Sequence, residues 1–240
     1  MPVWDWQQLI SLQNETRNNL KGWLNSLGCF INILYKSNLM ISRKAADLII
    51  QFEIGGRNIY EKSYQKPTWA GSESGITIGI GADLGYMTEK EFMKVWSPHL
   101  NLNFIECLRK VVGLKGIQAK QMLRGEILNV RVPYNTAYEV FVKYDIPKYY
   151  AKTKAIYPQL DELNEDTQGA LVSMVYNRGN KLEGDSRIEM KRIVEMVKNK
   201  DYEGIAEEIE KSKRHWEHKN LDGLVIRREA EADLIRESIC

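Results

Sequence analysis

A glutamate at the end of a predicted helix is the first residue of this 240-residue chain that could do chemistry. Glu53 follows an apolar stretch and precedes Gly55 and Gly56, where a helix would stop. The partial negative charge of a helix C-terminus and the poor solvation among apolar neighbours both favour a protonated carboxyl. Such a group can act as a general acid. Glu53 is therefore a candidate acid, and a solvated glutamate at a helix end is the alternative.

A second candidate, Thr77, lies in residues 75–81, where isoleucines alternate with Thr and Gly as in a β-strand. This strand would carry Thr77, Gly79 and Gly81 on a face nearly free of side chains. Because glycines inside strands often mark the close approach of a ligand, we predict Gly79 and Gly81 as contacts for a polymer laid across that face. A straight strand would place Asp83 ~20 Å from Thr77. The chain must therefore bend at or after Gly81 if both residues serve one bond.

The elements that would position these residues are mostly helical. A period of 3.6 residues begins at Ser42, a predicted N-cap, and separates an N-terminal extension (1–41) from a candidate catalytic domain (42–240). Capping boxes are predicted at Thr88–Glu91 and Thr136–Glu139. Further helices are predicted at about 104–112, 116–125, 136–156, 165–178, 187–199, 202–217 and 224–237. The sequence thus predicts a helix-dominant α+β fold with a small β element and a helical body.

Composition excludes several classes of protein. Hydrophobic residues make up 43% of the chain, so it can bury a core and is not disordered. There are 34 Lys and Arg residues against 32 Asp and Glu, so no net charge marks a nucleic-acid binder and no nucleic acid is expected as a partner. Cys29, Cys107 and Cys240 lie far apart and are predicted to be free thiols.

Two histidines, His215 and His218, stand three residues apart. This is not the spacing of a zinc-binding HExxH motif, so we predict a surface pair and no metal. Gly79-Ile80-Gly81 lacks the third glycine of a dinucleotide loop, and no other cofactor is expected.

The only apolar stretch near the start, residues 23–35, is interrupted by polar residues and is too short to span a bilayer. It is either a packing helix or a membrane-associating delivery segment. No secretory signal peptide is recognised, so we expect synthesis in the cytoplasm and no stable membrane span.

Three segments resemble one family. Phe52-Glu53 with residues 75–85 (GITIGIGADLG) resembles the catalytic segment of phage-type lysozymes, and most of all the pesticin-like muramidases. Residues 170–179 are similar to the helix behind the cleft of that family, and residues 223–232 are similar to its C-terminal helix. The resemblance covers about 43–237 and implies a lysozyme-like fold that hydrolyses the β-1,4 bond between N-acetylmuramic acid and N-acetylglucosamine.

The resemblance also implies roles. Glu53 matches the general acid, and Thr77 matches the threonine that helps to place the attacking water. Asp83 matches the aspartate six residues after that threonine in the pesticin-like branch. Other phage lysozymes keep an aspartate about nine residues after the glutamate, where this chain has Lys62 beside Glu61. Asp83 is therefore the expected second carboxylate, and Glu61 is the reserve.

Substrate contacts are predicted from the aromatic residues of the long loop and from the helix behind the cleft. Tyr60, Tyr64 and Trp69 could stack on sugar rings, or could pack within the loop. Asn177 is the predicted contact from the helix.

The expected mechanism is inverting, because a hydroxyl such as that of Thr77 can orient water but is a poor base alone. Arg227 or Arg228 would orient Glu53, or both would be solvated helix charges.

We expect a monomeric peptidoglycan hydrolase that lyses bacterial walls as a phage endolysin or as a secreted antibacterial effector. It would act in the periplasm or outside the cell, after release through a holin pore or delivery by a secretion system. An effector would imply an immunity protein as a partner. The alternative is a catalytically inactive, glycan-binding relative.

Overall fold

The structure is a computed structural model that describes residues 40–239. Its described part is dominated by α-helices and contains a three-stranded antiparallel sheet, so the predicted helix-dominant α+β class is confirmed. Nearly all of the predicted extension, residues 1–41, lies outside the described residues, and so do Cys29 and Cys240. Cys107 is half-buried and free, as predicted.

The contacts divide the described chain into two compact units, one of residues 49–147 and one of residues 40–48 and 148–239. The first unit contains the end of α1, the sheet and a set of short helices. Its elements in chain order are α1 (Arg43–Ile54), α2 (Gly56–Ile59), a π-helical turn (Tyr60–Tyr64), β1 (Thr68–Trp69), β2 (Ile76–Ile78), β3 (Ala82–Asp83), a 3-10 turn (Leu84–Tyr86), α3 (Glu89–Trp96), α4 (Leu102–Arg109), α5 (Gly116–Met122), a 3-10 turn (Gly125–Asn129), α6 (Tyr134–Val140) and a second π-helical turn (Phe141–Asp145).

The second unit is helical. After the first residues of α1 it contains α7 (Ile146–Ile156), a 3-10 turn (Leu160–Glu162), α8 (Glu165–Arg178), a 3-10 turn (Asp185–Arg187), α9 (Ile188–Asn199), α10 (Tyr202–Lys211), a 3-10 turn (Ser212–His215) and α11 (Asp222–Ile239). The predicted helices at 165–178 and 187–199 are confirmed to within one residue. In the range 40–239, no helix combines the length and the hydrophobicity that a bilayer crossing requires.

Helix α8 is the central helix of the second unit, because residues 167–175 along it are all buried. Its Gly169 allows close packing on the start of α1: a Cβ there would lie 2.0 Å from the Cβ of Ala45 and 3.4 Å from that of Ile41. Ile41 is itself fully buried, so the packed part of the chain begins at or before this residue.

The first residues of three helices test the predicted N-cap and the two predicted capping boxes. The Ser42 hydroxyl accepts a hydrogen bond from the Ala45 N–H at 3.0 Å, and Thr88 with Glu91 forms a complete capping box. The capping box predicted at Thr136–Glu139 is wrong. Helix α6 already begins at Tyr134, directly after Pro133, so Thr136 lies inside the helix.

The sheet is smaller than its sequence pattern predicts. The predicted strand over 75–81 is reduced to β2, Ile76–Ile78, and the chain reverses over the next three residues. Two of these, Gly79 and Gly81, have φ angles of 59° and 76°, which glycine adopts without strain. The two-residue strands β1 and β3 were not predicted. Both pair antiparallel with β2.

Candidate active site

The hairpin of β2 and β3 brings two predicted site residues together. Thr77 and Asp83 are directly paired across the two strands. The reversal that makes this possible starts at Gly79, two residues earlier than the expected bend at or after Gly81. The predicted return of Asp83 toward Thr77 is therefore confirmed, with a tighter turn than expected.

Thr77 has a buried hydroxyl group without a hydrogen-bond partner in the described part of the chain. Its side chain is 3% exposed, and its Oγ1 has no hydrogen-bond partner among the described residues. Leaving a buried hydroxyl unpaired costs about 1–3 kcal/mol, so a native site normally supplies a water or a ligand. Thr77 can therefore hold a water or a sugar hydroxyl at the sheet.

The side chain of Asp83 is held by backbone N–H groups next to the hairpin strands. Its Oδ1 accepts hydrogen bonds from the N–H of Gly85 at 2.8 Å and of Gly75 at 3.0 Å. The Gly75 N–H also lies 3.2 Å from Oδ2. A Cβ on Gly75 would lie 2.3 Å from the Gly85 nitrogen, so this close approach requires glycine. A carboxylate has about four acceptor sites, so Asp83 can still accept another proton donor.

Glu53 is placed by a different element of the same unit. It is the penultimate residue of α1, is half-buried, and lies between the buried Phe52 and Ile54. The helix ends where the glycine pair predicted it, and Gly55 has a φ of 73°.

Glu61, the reserve carboxylate, lies in the π-helical turn and forms an ion pair with Arg57 at 2.8 Å. Its side chain is 44% exposed. Exposed pairs of this i,i+4 type are ordinary surface features that contribute little to stability. This environment favours Asp83 over Glu61 as the second carboxylate.

Tyr60 is not available to a sugar. Its side chain is fully buried, its hydroxyl donates to the carbonyl oxygen of Val132 at 2.8 Å, and Tyr134 packs edge-on with ring centroids 5.6 Å apart. We therefore withdraw the prediction that Tyr60 binds substrate. Its ring supports the loop from inside.

Trp69 keeps the features of a sugar contact. It lies on β1, is half-buried, and its Nε1 donates to the carbonyl oxygen of Ser74 at 3.1 Å, which fixes the ring orientation. The ammonium of Lys120 lies 5.1 Å from the ring centroid. Tyr64 is half-buried, and burial raises the pKa of its hydroxyl.

The two turn glycines have different surroundings from those predicted. Gly79 is buried, and a Cβ there would lie 2.7 Å from Cη2 of Trp96. The missing side chain at this position is thus explained by packing of Trp96. Gly81 is exposed at the turn. The predicted open strand face of Thr77, Gly79 and Gly81 is wrong, because the strand ends at Ile78.

In the second unit, Asn177 is half-buried in the last turn of α8. Arg227 and Arg228 on α11 are fully buried, so the alternative of solvated helix charges is wrong. Both donate to Oε1 of Glu231, at 3.3 Å and 2.6 Å, and the Ser173 hydroxyl donates to the same oxygen at 2.5 Å.

This buried network was missed in the sequence, although its signal was present. Arg227 and Glu231 stand four residues apart, as helical ion pairs do, but an exposed pair has the same spacing. The histidine prediction is also corrected. His215 is not an open surface residue, because its Nε2 lies 3.1 Å from Oε2 of the buried Glu189. Across residues 40–239 no cluster of three or more acidic, His or Cys side chains could hold a metal.

Comparison with known proteins now decides the family. The family model described as Phage lysozyme matches residues 58–231, well over half of the chain. The chain belongs to the phage lysozyme family. The match includes Thr77, Asp83 and Asn177 but starts after Glu53, so it does not include the candidate acid. No curated protein matches the chain significantly. Membership in this family implies a glycoside hydrolase that acts on peptidoglycan.

Proposed function

We propose that this lysozyme family member is a muramidase of the pesticin-like kind, which hydrolyses the β-1,4 bond between N-acetylmuramic acid and N-acetylglucosamine. The observation that carries this proposal is the pairing of Thr77 with Asp83 across the hairpin, inside the residues that match the phage lysozyme family. The roles below are part of the proposal.

Glu53 donates a proton to the glycosidic oxygen as the bond to the leaving sugar breaks. Its half-buried position in the last turn of α1, between Phe52 and Ile54 in sequence, supports this role. A glycosidase needs one such acid.

Thr77 holds the attacking water. Its unpartnered, buried Oγ1 can donate one hydrogen bond and accept another, and the rigid ladder of β2 fixes its position. A positioned hydroxyl of this type lowers the barrier by orienting the water.

Asp83 accepts a proton from that water as it attacks the anomeric carbon. The two backbone N–H groups that bind its carboxylate fix the orientation of the side chain. Attack by water on the face opposite the leaving group inverts the anomeric configuration.

Analysis of cleavage products tests the function directly. Purified peptidoglycan is incubated with the full chain, the new reducing ends are reduced with borohydride, and the fragments are hydrolysed and identified by mass spectrometry. We expect muramitol. Glucosaminitol would identify a different bond, and binding to peptidoglycan without new ends would favour the inactive, glycan-binding alternative.

We further propose that the enzyme is made in the cytoplasm as a monomer and reaches the wall by holin release or through a secretion system. Neighbouring genes distinguish these routes: a holin gene supports an endolysin. A small partner gene whose product is captured by the full chain and blocks wall hydrolysis supports an effector with an immunity protein.

A further inference from the structure

Two buried arginines of the second unit lie against one tryptophan. The guanidinium carbon of Arg178, on α8, is 4.9 Å from the ring centroid of Trp216, and that of Arg228, on α11, is 5.8 Å from it. Arg178 is 6% exposed and Arg228 is 0% exposed, whereas Trp216 is half-buried. We refer to these three residues as the arginine–tryptophan cluster.

Both guanidinium groups have donors without a partner. In Arg178, Nη2 donates to the carbonyl oxygen of Ser186, but Nε and Nη1 have no hydrogen-bond partner among the described residues. In Arg228, Nη2 donates to Oε1 of Glu231 at 2.6 Å, and again Nε and Nη1 have none. Buried charged donors are rarely left unpaired, because their desolvation is then uncompensated.

The charge of the arginines is also poorly balanced. Glu231 is the carboxylate that contacts Arg228, and its Oε1 is shared with the Ser173 hydroxyl and with Arg227. The other buried acid near Arg178, Glu189, is engaged by Arg214 at 2.6 Å and by His215. The cluster therefore has an excess of positive charge.

Burial is the main influence on the pKa values of the two arginines, and nearby positive charges act in the same direction. Burial lowers the pKa of Arg178 to about 10, and the charge of Arg187 acts in the same direction. Burial likewise lowers the pKa of Arg228 to about 10, and the nearby Arg227 and Arg178 add to the effect. Water in the cluster would accept hydrogen bonds from the free N–H groups but would leave the positive charge uncompensated. An anion would accept the same hydrogen bonds and would also compensate the charge.

We infer that the arginine–tryptophan cluster binds a compact oxyanion, a carboxylate or a phosphate, on the free N–H groups of Arg178 and Arg228. Trp216 is the only half-exposed member of the cluster. Oε2 of Glu231 also has no partner, so the bound state includes a donor for it, such as a water or the hydroxyl of hydrogen phosphate. None of the three residues of the cluster is among the proposed catalytic residues.

Two sources of this chemistry can be distinguished with small probes. The stem peptides of peptidoglycan carry free carboxylates, and inorganic phosphate is abundant in cells. Isothermal titration of the full chain at constant ionic strength would use sodium phosphate, N-acetyl-D-alanine and the uncharged amide of N-acetyl-D-alanine. Binding of N-acetyl-D-alanine but not of its amide assigns a wall carboxylate, and binding of phosphate alone assigns free phosphate.

Variants test whether the cluster is the site. Arg178→Gln and Arg228→Gln should each weaken binding about 10-fold or more, because each removes charged donors. Arg192→Gln is the matched control: it removes one positive charge from α9, where the side chain is 60% exposed. Its affinity should equal that of the parent. If Arg228→Gln fails to fold by circular dichroism, Arg178→Gln and the Arg192→Gln control give the same comparison.

A crystal soaked in selenate provides the structural readout. The expected result is an anomalous peak within hydrogen-bond distance of Nε or Nη1 of both arginines. No saturable binding of any probe, equal affinity in the arginine variants and the control, or a site filled by water alone would overturn the inference. None of these readouts uses wall hydrolysis, so their failure is distinct from failure of the proposed function.

Discussion

Thr77 and Asp83 are paired across an antiparallel hairpin whose turn is only three residues long. Backbone pairing fixes the distance between their Cα atoms, and two glycine N–H groups fix the Asp83 carboxylate. This arrangement places the two residues opposite each other on neighbouring strands. The predictions below follow from it and from the position of Glu53.

Replacing Thr77 by valine should lower activity without lowering stability. Valine has the same shape but lacks the hydroxyl, so we expect turnover of peptidoglycan to fall about 10²-fold, because the water loses its positioning group. The free energy of unfolding should stay equal or rise by up to about 1 kcal/mol, because a buried hydroxyl without a protein partner is removed. Turbidity assays and urea unfolding measure the two effects.

Thr77→Ser is the matched control, since it keeps the hydroxyl, and it should retain most of the activity. A Thr77→Val variant that is fully active, or one that loses more than about 2 kcal/mol of stability, would show that the hydroxyl has a structural partner instead.

The second carboxylate can be identified by comparing Asp83→Asn with Glu61→Gln. We expect Asp83→Asn to lower turnover about 10²–10⁴-fold, because the amide cannot accept a proton from water. Glu61→Gln should change turnover less than about 2-fold, because it breaks only an exposed ion pair with Arg57. An active Asp83→Asn beside an inactive Glu61→Gln would reverse the assignment.

The stereochemistry of the product tests the same residue independently. If Asp83 activates water, its carboxyl should lie ~6.5–9.5 Å from that of Glu53, and early products should show inverted anomeric configuration by NMR. Retained configuration would indicate a covalent nucleophile.

The two glycines Gly79 and Gly113 provide a matched test of the packing under the hairpin. Both have positive φ angles, 59° and 77°. A Cβ on Gly79 would lie 2.7 Å from the buried Trp96, whereas a Cβ on Gly113 would meet nothing within 4 Å. Gly113→Ala should cost about 1 kcal/mol, and Gly79→Ala about 1–3 kcal/mol more. Equal losses in urea unfolding would show that Trp96 does not constrain the turn.

Removal of the segment before Met40 tests the domain boundary. A chain beginning at Met40 retains the buried Ile41 and the hydrogen bond from the Ser42 N–H to the carbonyl oxygen of Glu165. It should remain soluble and cleave purified peptidoglycan at a rate similar to that of the full chain, because no candidate catalytic residue is removed. A folded but inactive product would make the extension part of the site.

Helices were predictable here because their signals are local. The apolar period, the N-cap at Ser42 and the glycine pair after Glu53 all lie within a few residues of the element they define. A bend was predicted at or after Gly81, but the reversal that pairs Thr77 with Asp83 already begins at Gly79. Strands of two residues, in contrast, are too short to show a period, so β1 and β3 could be found only in the structure.

The errors concern side chains whose surroundings come from distant sequence. Tyr60 is buried, and its hydroxyl donates to the carbonyl oxygen of Val132, 72 residues further along. The burial of Arg227 depends on Ser173, 54 residues earlier. A sequence pattern shows that an aromatic or charged residue is present but does not show which distant backbone or hydroxyl it will contact.

The central claim is that Glu53 is the acid of a muramidase, and the decisive measurement is release of reducing ends from purified peptidoglycan by Glu53→Gln and the parent. The glutamine side chain is almost the same size but has no acidic proton, so circular dichroism and melting should match the parent. We predict that the rate of release falls to less than about 1% of the parent rate, since loss of a general acid usually costs ~10²–10⁴-fold. A correctly folded Glu53→Gln chain that releases reducing ends at more than about 1% of that rate would contradict the assignment.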